Sequence, residues 1–169
     1  GGEDCLVLNI HTPSIDRSVA RPVMVWFHGG GWGQGSGATR TYEGTHLASF
    51  GDVVVITVNH RLSLFGCIKL SDTDERFADS GNAGVLDLIA ALKWVRDNAQ
   101  AYNIRVVNMS VGIGSYKAPG VSDPYFQLIR DLESAGVTVV SAAGNDYGEY
   151  VTTVAGPVNR NSATPAVAS

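Results

Sequence analysis

The chain has 169 residues, 44% of them apolar and 17% charged, which is enough material to bury a real core. Twelve Lys and Arg against sixteen Asp and Glu leave a formal charge of -4, which gives no electrostatic case for nucleic acid or an anionic membrane. No apolar run approaches the roughly 20 residues of a membrane helix, no signal-peptide pattern opens the chain, and Cys5 and Cys67 form neither a disulfide framework nor a zinc spacing.

The hydrophobic pattern alternates strand and helix. A first strand is predicted over Cys5–Ile10 and a second over Val23–Phe27, followed by a glycine-rich loop from Gly29 to Gly37. Val53–Asn59 reads as the third strand, and Lys69 to Gly81 as a loop. Ala83–Asn98 then carries Val85, Leu88, Ile89, Leu92 and Val95 at helical spacing, with Asp87, Lys93, Arg96 and Asp97 on the other side. Ile104–Met109 is the fourth strand. Asp123-Pro124 opens a second helix, whose Phe126, Ile129 and Leu132 face inward before Gly136 ends it, and Val137–Ala142 is the fifth strand. Strands rich in Val and Ile and separated by helices predict a mostly parallel sheet covered on both faces.

Several stretches of the first half occur in a recognisable order. They are Glu3-Asp4-Cys5-Leu6-Val7-Leu8-Asn9, Val25-Trp26-Phe27-His28-Gly29-Gly30-Gly31, Val58-Asn59-His60-Arg61-Leu62, Gly81-Asn82-Ala83-Gly84-Val85-Leu86-Asp87 and Leu92-Lys93-Trp94-Val95-Arg96-Asp97-Asn98. The series resembles the N-terminal part of a type-B carboxylesterase, an α/β-hydrolase. That resemblance implies that Gly29, Gly30 and Gly31 supply backbone N–H groups to an oxyanion hole, where a Cβ would block close approach. It makes His28 structural, and His11, His46 and His60 structural or surface residues. No Gly-x-Ser-x-Gly nucleophile elbow occurs in the 169 residues.

Residues 102–169 carry Tyr102-Asn103-Ile104-Arg105-Val106-Val107-Asn108-Met109-Ser110-Val111-Gly112 and Val137-Thr138-Val139-Val140-Ser141-Ala142-Ala143-Gly144-Asn145. This segment resembles the middle of a subtilisin-like protease. The resemblance implies that Ser110, Val111 and Gly112 line a substrate cleft and that Asn145 donates its amide to an oxyanion. The expectation is therefore a chimera of the two families, engineered or designed, with no intact catalytic site and no evolved activity. The alternative is a degenerate serine hydrolase with weak ester hydrolysis or peptide binding, its nucleophile chosen among Ser110, Ser115 and Ser141.

The predicted fold is a single three-layer α/β/α domain over residues 1–169, Rossmann-like, with sheet order 1-3-2-4-5. Strand 1 runs antiparallel at one edge, as the esterase resemblance implies, and the crevice lies where strands 2 and 4 part. No cofactor or metal is expected, nor a nucleic-acid or membrane partner. Strand 5 is an exposed edge through which self-association stays open, unless a tail such as Tyr150 to Val154 covers it.

Overall fold

The computed structural model of the protein describes residues 4–16, 18–111, 124–142, 150–153 and 156–159. Five strands share one sheet: β1 (Leu8–His11), β2 (Val23–Phe27), β3 (Val54–Val58), β4 (Ile104–Met109) and β5 (Thr138–Ser141). Their order is β1-β3-β2-β4-β5. The pairs β2–β3, β2–β4 and β4–β5 are parallel, and β1 lies antiparallel on β3 with Ile10 opposite Ile56. The fold class, the order and the antiparallel edge strand all agree with the sequence reading.

The strands form where β-branched and aromatic residues alternate between two covered faces. On β2, Val23, Val25 and Phe27 are buried, while Met24 and Trp26 are half-buried on the opposite side. The register puts Val25 beside both Ile56 and Val107, so these side chains share one face. That face receives α3 (Ala83–Asn98) through Leu88, Leu92 and Val95, and α4 (Pro124–Ser134) through Leu128, Ile129 and Leu132. Phe27, Leu88, Leu92, Met109 and Leu132 are fully buried, each stabilising by about 1.5–3 kcal/mol. The other face is covered at β3 by α1 (Thr45–Gly51), where Gly44 lies close against Val55.

Several expectations are corrected. The first strand begins at Leu8 rather than Cys5, and it runs on to His11 because His11 pairs with Val55. The sequence pattern missed α1 and α2 (Ser63–Cys67). Each is at most seven residues long and buries one residue, Ala48 or Gly66, so no apolar stripe reveals it. The loop from Lys69 to Gly81 contains a 3-10 turn at Glu75–Phe77. Tyr150–Thr153 (β6) is not a strand of the same sheet as β5. It pairs antiparallel with Gly156–Asn159 (β7), the local partner that closes the shortest loop. Asp87, placed by its periodicity on the solvent side of α3, has a side chain only 8% exposed.

Candidate functional site

The sheet order reverses direction between β2 and β4, and the carboxyl ends of two strands at such a switch point are where ligands of open α/β sheets bind. Beyond β2 the chain continues as His28-Gly29-Gly30-Gly31, and beyond β4 as Ser110-Val111. The two extensions touch. The Ser110 N–H donates to the Phe27 carbonyl at 3.0 Å, and a Cβ on Gly29 would sit 2.7 Å from the Ser110 carbonyl oxygen.

The turn itself is held by its carbonyls. The Gly29 oxygen faces His28 Nδ1 at 2.8 Å, and because a carbonyl only accepts, Nδ1 carries the hydrogen. In a trans peptide the C=O and the following N–H point in opposite directions, so this bond aims the Gly30 N–H away from His28. The Gly30 oxygen in turn accepts from the Gly33 N–H at 3.2 Å and the Gln34 N–H at 3.3 Å, which aims the Gly31 N–H by the same geometry. Gly30 has φ 133° and Gly31 φ 63°, and a Cβ on Gly30 would collide with the Gln34 carbonyl. Only glycine makes this turn at Gly30 without strain. Both residues are exposed, and their N–H groups have no hydrogen-bond partner among the described residues.

The turn rests on a fixed platform. His28 is buried, stacked on His60 with ring centroids 4.6 Å apart, and Trp32 meets the His60 ring edge-on at 5.3 Å. The Trp32 carbonyl accepts from the Ser63 N–H at 2.7 Å. Arg61 forks onto Asp87 of α3, with Nη2 to Oδ1 at 2.7 Å and Nε to Oδ2 at 2.9 Å. The backbone N–H of Arg61 also donates to Asp87 Oδ2 at 2.9 Å. At the base of the loop, Asn59 Oδ1 accepts from the Gly37 N–H at 2.7 Å, and Thr57 Oγ1 donates to the Gly37 carbonyl at 2.9 Å. Burial, followed by the nearby His28, lowers the pKa of His60 below the ordinary imidazole value.

The structure thus brings Gly29 against Ser110 where β2 and β4 end, with Gly30 and Gly31 next along the turn and Val111 buried beyond Ser110. Ser110 Oγ accepts from the Asn108 amide at 2.9 Å. His28 does not act on it as a base in this arrangement: Ser110 Oγ is bonded to Asn108, and the His28 Nε2 has no hydrogen-bond partner among the described residues. Ser141 ends β5 with a buried hydroxyl that has no hydrogen-bond partner among the described residues. Gly112, Ser115 and Asn145 lie outside the described residues. Sequence reasoning missed Asp87 and His60 as supports of the turn. A charged residue on a helix and a histidine after a strand look ordinary until Arg61 is seen to reach the one and His28 to stack on the other. Among the described residues no group of three His, Cys, Asp or Glu side chains could hold a metal, and no helix is long and apolar enough to cross a membrane.

A parallel-centred sheet with an amide-presenting glycine turn at its switch point defines a scaffold of the α/β-hydrolase kind. Comparison with known proteins makes this specific: the Carboxylesterase family matches residues 1–104, and the chain belongs to that family. It is 44% identical over 115 residues to the para-nitrobenzyl esterase of Bacillus subtilis strain 168, covering 65% of this chain and 23% of that protein. It is 46% identical over 97 residues to human Carboxylesterase 3, covering 57% and 16%. Among solved structures, a Geobacillus stearothermophilus carboxylesterase superposes with TM-score 0.52 at 42% identity, over 61% of this chain and 23% of that one. An esterase from the anaerobe Clostridium hathewayi superposes with TM-score 0.53 at 32% identity, over 81% of this chain and 40% of that one. The chain therefore spans between 16% and 40% of the length of these relatives.

These findings overturn the expectation of an engineered or designed chimera with a subtilisin-like second half. The relatives are carboxylesterases, and a solved esterase matches 81% of the chain, more than residues 1–98 alone can supply. The physical reason for the misreading is that runs such as Val106-Val107-Asn108-Met109 and Val139-Val140-Ser141-Ala142 are what any buried parallel strand looks like. Two such runs, each ending in small residues, do not separate one doubly wound family from another. The ancestry of the chain is that of a hydrolase. The role given to Asn145 rested on the protease resemblance alone and is not carried forward.

Proposed function

We propose that this chain forms the oxyanion side of a carboxylic-ester hydrolase site, with the Gly30 and Gly31 amides as donors to the carbonyl oxygen of a bound ester. The observation that carries this reading is the aim of those two amides. Each is fixed by a hydrogen bond to the carbonyl of its own peptide, and each is exposed without a partner among the described residues. Donors aligned before the reaction stabilise the charge that develops on oxygen without reorganising, and one such donor is worth about 10²–10³ in rate. In this reading Gly29 supplies the close approach to β4, where it lies against Ser110. Ser110 brings a hydroxyl-bearing side chain against Gly29 of the turn. No Ser–His hydrogen bond exists among the described residues, so turnover by this chain is expected to be weak.

The test combines binding with turnover. Titration of ¹⁵N-labelled protein with butyrate, the product carboxylate of a butyrate ester, is expected to shift the Gly30 and Gly31 amide resonances ahead of all others. Hydrolysis of 4-nitrophenyl butyrate is expected at roughly 10²-fold above buffer, the order of one aligned donor. Ser110→Ala separates a nucleophilic hydroxyl from a mere neighbour of the turn, since only loss of the former abolishes the excess rate. Glycine amides that ignore butyrate would refute the assignment.

A further inference from the structure

Directly beneath the glycine turn, two imidazoles occupy a place that ester chemistry does not use. His28 and His60 are 1% and 4% exposed, and their ring planes lie 15° from parallel. The Nδ1 of each faces a carbonyl oxygen, that of Gly29 at 2.8 Å for His28 and that of Arg61 at 3.3 Å for His60. In the neutral pair the hydrogens therefore sit on both Nδ1 atoms. Each Nε2 is left as a bare lone pair, buried and without a hydrogen-bond partner among the described residues. Those two atoms are the only places on the pair where an added proton can go.

The surroundings decide what such a proton does. His28 is flanked on its other face by the Tyr42 ring, with centroids 6.4 Å apart, and by the backbone of Gly35. His60 faces the His28 ring and the His28 backbone, the edge of Trp32 and the Arg61 carbonyl, and both backbone groups favour its protonated form less strongly than burial opposes it. The one carboxylate acting on His60, Asp87, is already engaged by the Arg61 guanidinium, so it offers an imidazolium little. Beyond His60 lies an open cavity of about 400 Å³, lined by Asp4, Cys5, Ser36, Asn59 and Phe65. A protonated Nε2 has to find an acceptor or water. In the stack neither Nε2 has a hydrogen-bond partner among the described residues, and a charge on one ring repels a second proton on the other. The direct relief is for His60 to swing toward the Asp4 side of that cavity. His28 would then lose the ring that holds it against Gly29.

We propose that the stacked His28–His60 pair is a proton-operated positioning device for the glycine turn. When neutral, it grips the Gly29 carbonyl and aims the Gly30 N–H. When singly protonated, it breaks the stack and releases that aim. The device regulates the site proposed above and rests on that reading for its consequence in turnover. The linkage between imidazole and glycine amide does not depend on it. His28 and His60 act here as positioning residues and touch no substrate.

The experiment follows the His side-chain nitrogens and the Gly29–Gly31 amides of ¹⁵N-labelled protein from about pH 8 to about pH 5, the range in which imidazoles change charge. The wild type is expected to show Nδ1–H tautomers at the upper end, and a Gly30 amide that moves with the same midpoint as the His60 ring. His60→Phe keeps an aromatic ring in the stack without a titratable nitrogen, and is expected to abolish that movement. Turnover of 4-nitrophenyl butyrate is expected to lose kcat, with KM little changed, at the same midpoint in the wild type but not in the variant. If the ester reading alone is wrong, turnover is absent at every pH while the co-titration persists. A Gly30 amide that does not follow His60, or that moves equally in His60→Phe, overturns the proposal. Should His60→Phe fail to fold, His60→Gln takes its place, and the wild-type co-titration decides by itself.

Discussion

Replacing Gly84 by alanine sets two effects of opposite sign against each other at one atom. Gly84 is the second residue of α3, and a helical glycine exchanged for alanine ordinarily gains about 1 kcal/mol. Here the new methyl would stand 2.5 Å from the Arg61 carbonyl oxygen and 3.3 Å from Cζ3 of Trp32. A carbon needs about 3.3 Å to such an oxygen, so roughly 0.8 Å of separation has to be found. Neither neighbour yields readily. Arg61 is tied through its N–H and guanidinium to Asp87 on the same helix, and the Trp32 carbonyl holds the Ser63 N–H. Crowding against neighbours held this firmly falls in the upper part of the usual range, about 2–3 kcal/mol, and outweighs the propensity gain, leaving a net loss of about 1–2 kcal/mol. For a chain of this size that lowers Tm by about 2–8 °C. Thermal unfolding followed by far-UV circular dichroism measures it, with exposed Ala90→Gly as a gauge of helix propensity in the same helix. A Gly84→Ala protein that melts higher than the wild type would refute the argument, because it would mean that α3 is free to recede from the 61–63 segment.

Asp87→Ala removes the acceptor of the Arg61 fork and of the Arg61 N–H, and is expected to destabilise by about 2–4 kcal/mol in urea titration. Asp87→Asn keeps one acceptor oxygen and should lose less than Asp87→Ala. Leu92→Ala empties a site with no exposed surface beneath β2, and should cost about 2–5 kcal/mol by the same measurement. Acid should weaken the fold through His60. Its folded pKa is depressed by burial and by His28, so the unfolded chain binds the proton more readily. Stability is complete above the ordinary imidazole value of about 6.5, and falls as pH drops below it toward the folded value, with a slope of at most about 1.4 kcal/mol per pH unit. Unfolding free energies measured at intervals between about pH 7.5 and pH 5 should show this slope, and His60→Phe should flatten it.

The sheet and its order were legible because β2, β3 and β4 are rich in Val, Ile and other apolar residues, and α3 carries a clean stripe from Leu88 through Val95. The glycine turn was legible because His28-Gly29-Gly30-Gly31 follows directly on a buried strand. What escaped was everything decided by contact across the chain. Asp87 reads as a solvent-facing charge until Arg61, 26 positions earlier, is seen to reach it. His60 reads as a loop histidine until His28 is found against its ring. The short α1 and α2 are shaped by packing at Ala48 and Gly66 and leave no periodic trace. The second-half family was misjudged for the opposite reason: its strands are so typical of buried sheets that they fit more than one lineage.

The pairing of β2 with β4 has a consequence for how the molecule comes to be folded at all. Val25 lies opposite Val107, so the central seam joins segments separated by the whole of β3 and α3. During synthesis, β1, β2 and β3 emerge and can pair while the far side of β2 still faces water as an open row of amides and carbonyls beside Val23, Val25 and Phe27. That row is a template for any extended apolar strand until Ile104–Met109 leaves the ribosome to cover it. Closing so distant a pair is also slow, because the loop entropy is lost before the contact forms. The interval between the third and fourth strands is thus the stretch of translation in which this chain depends most on being shielded from its own copies.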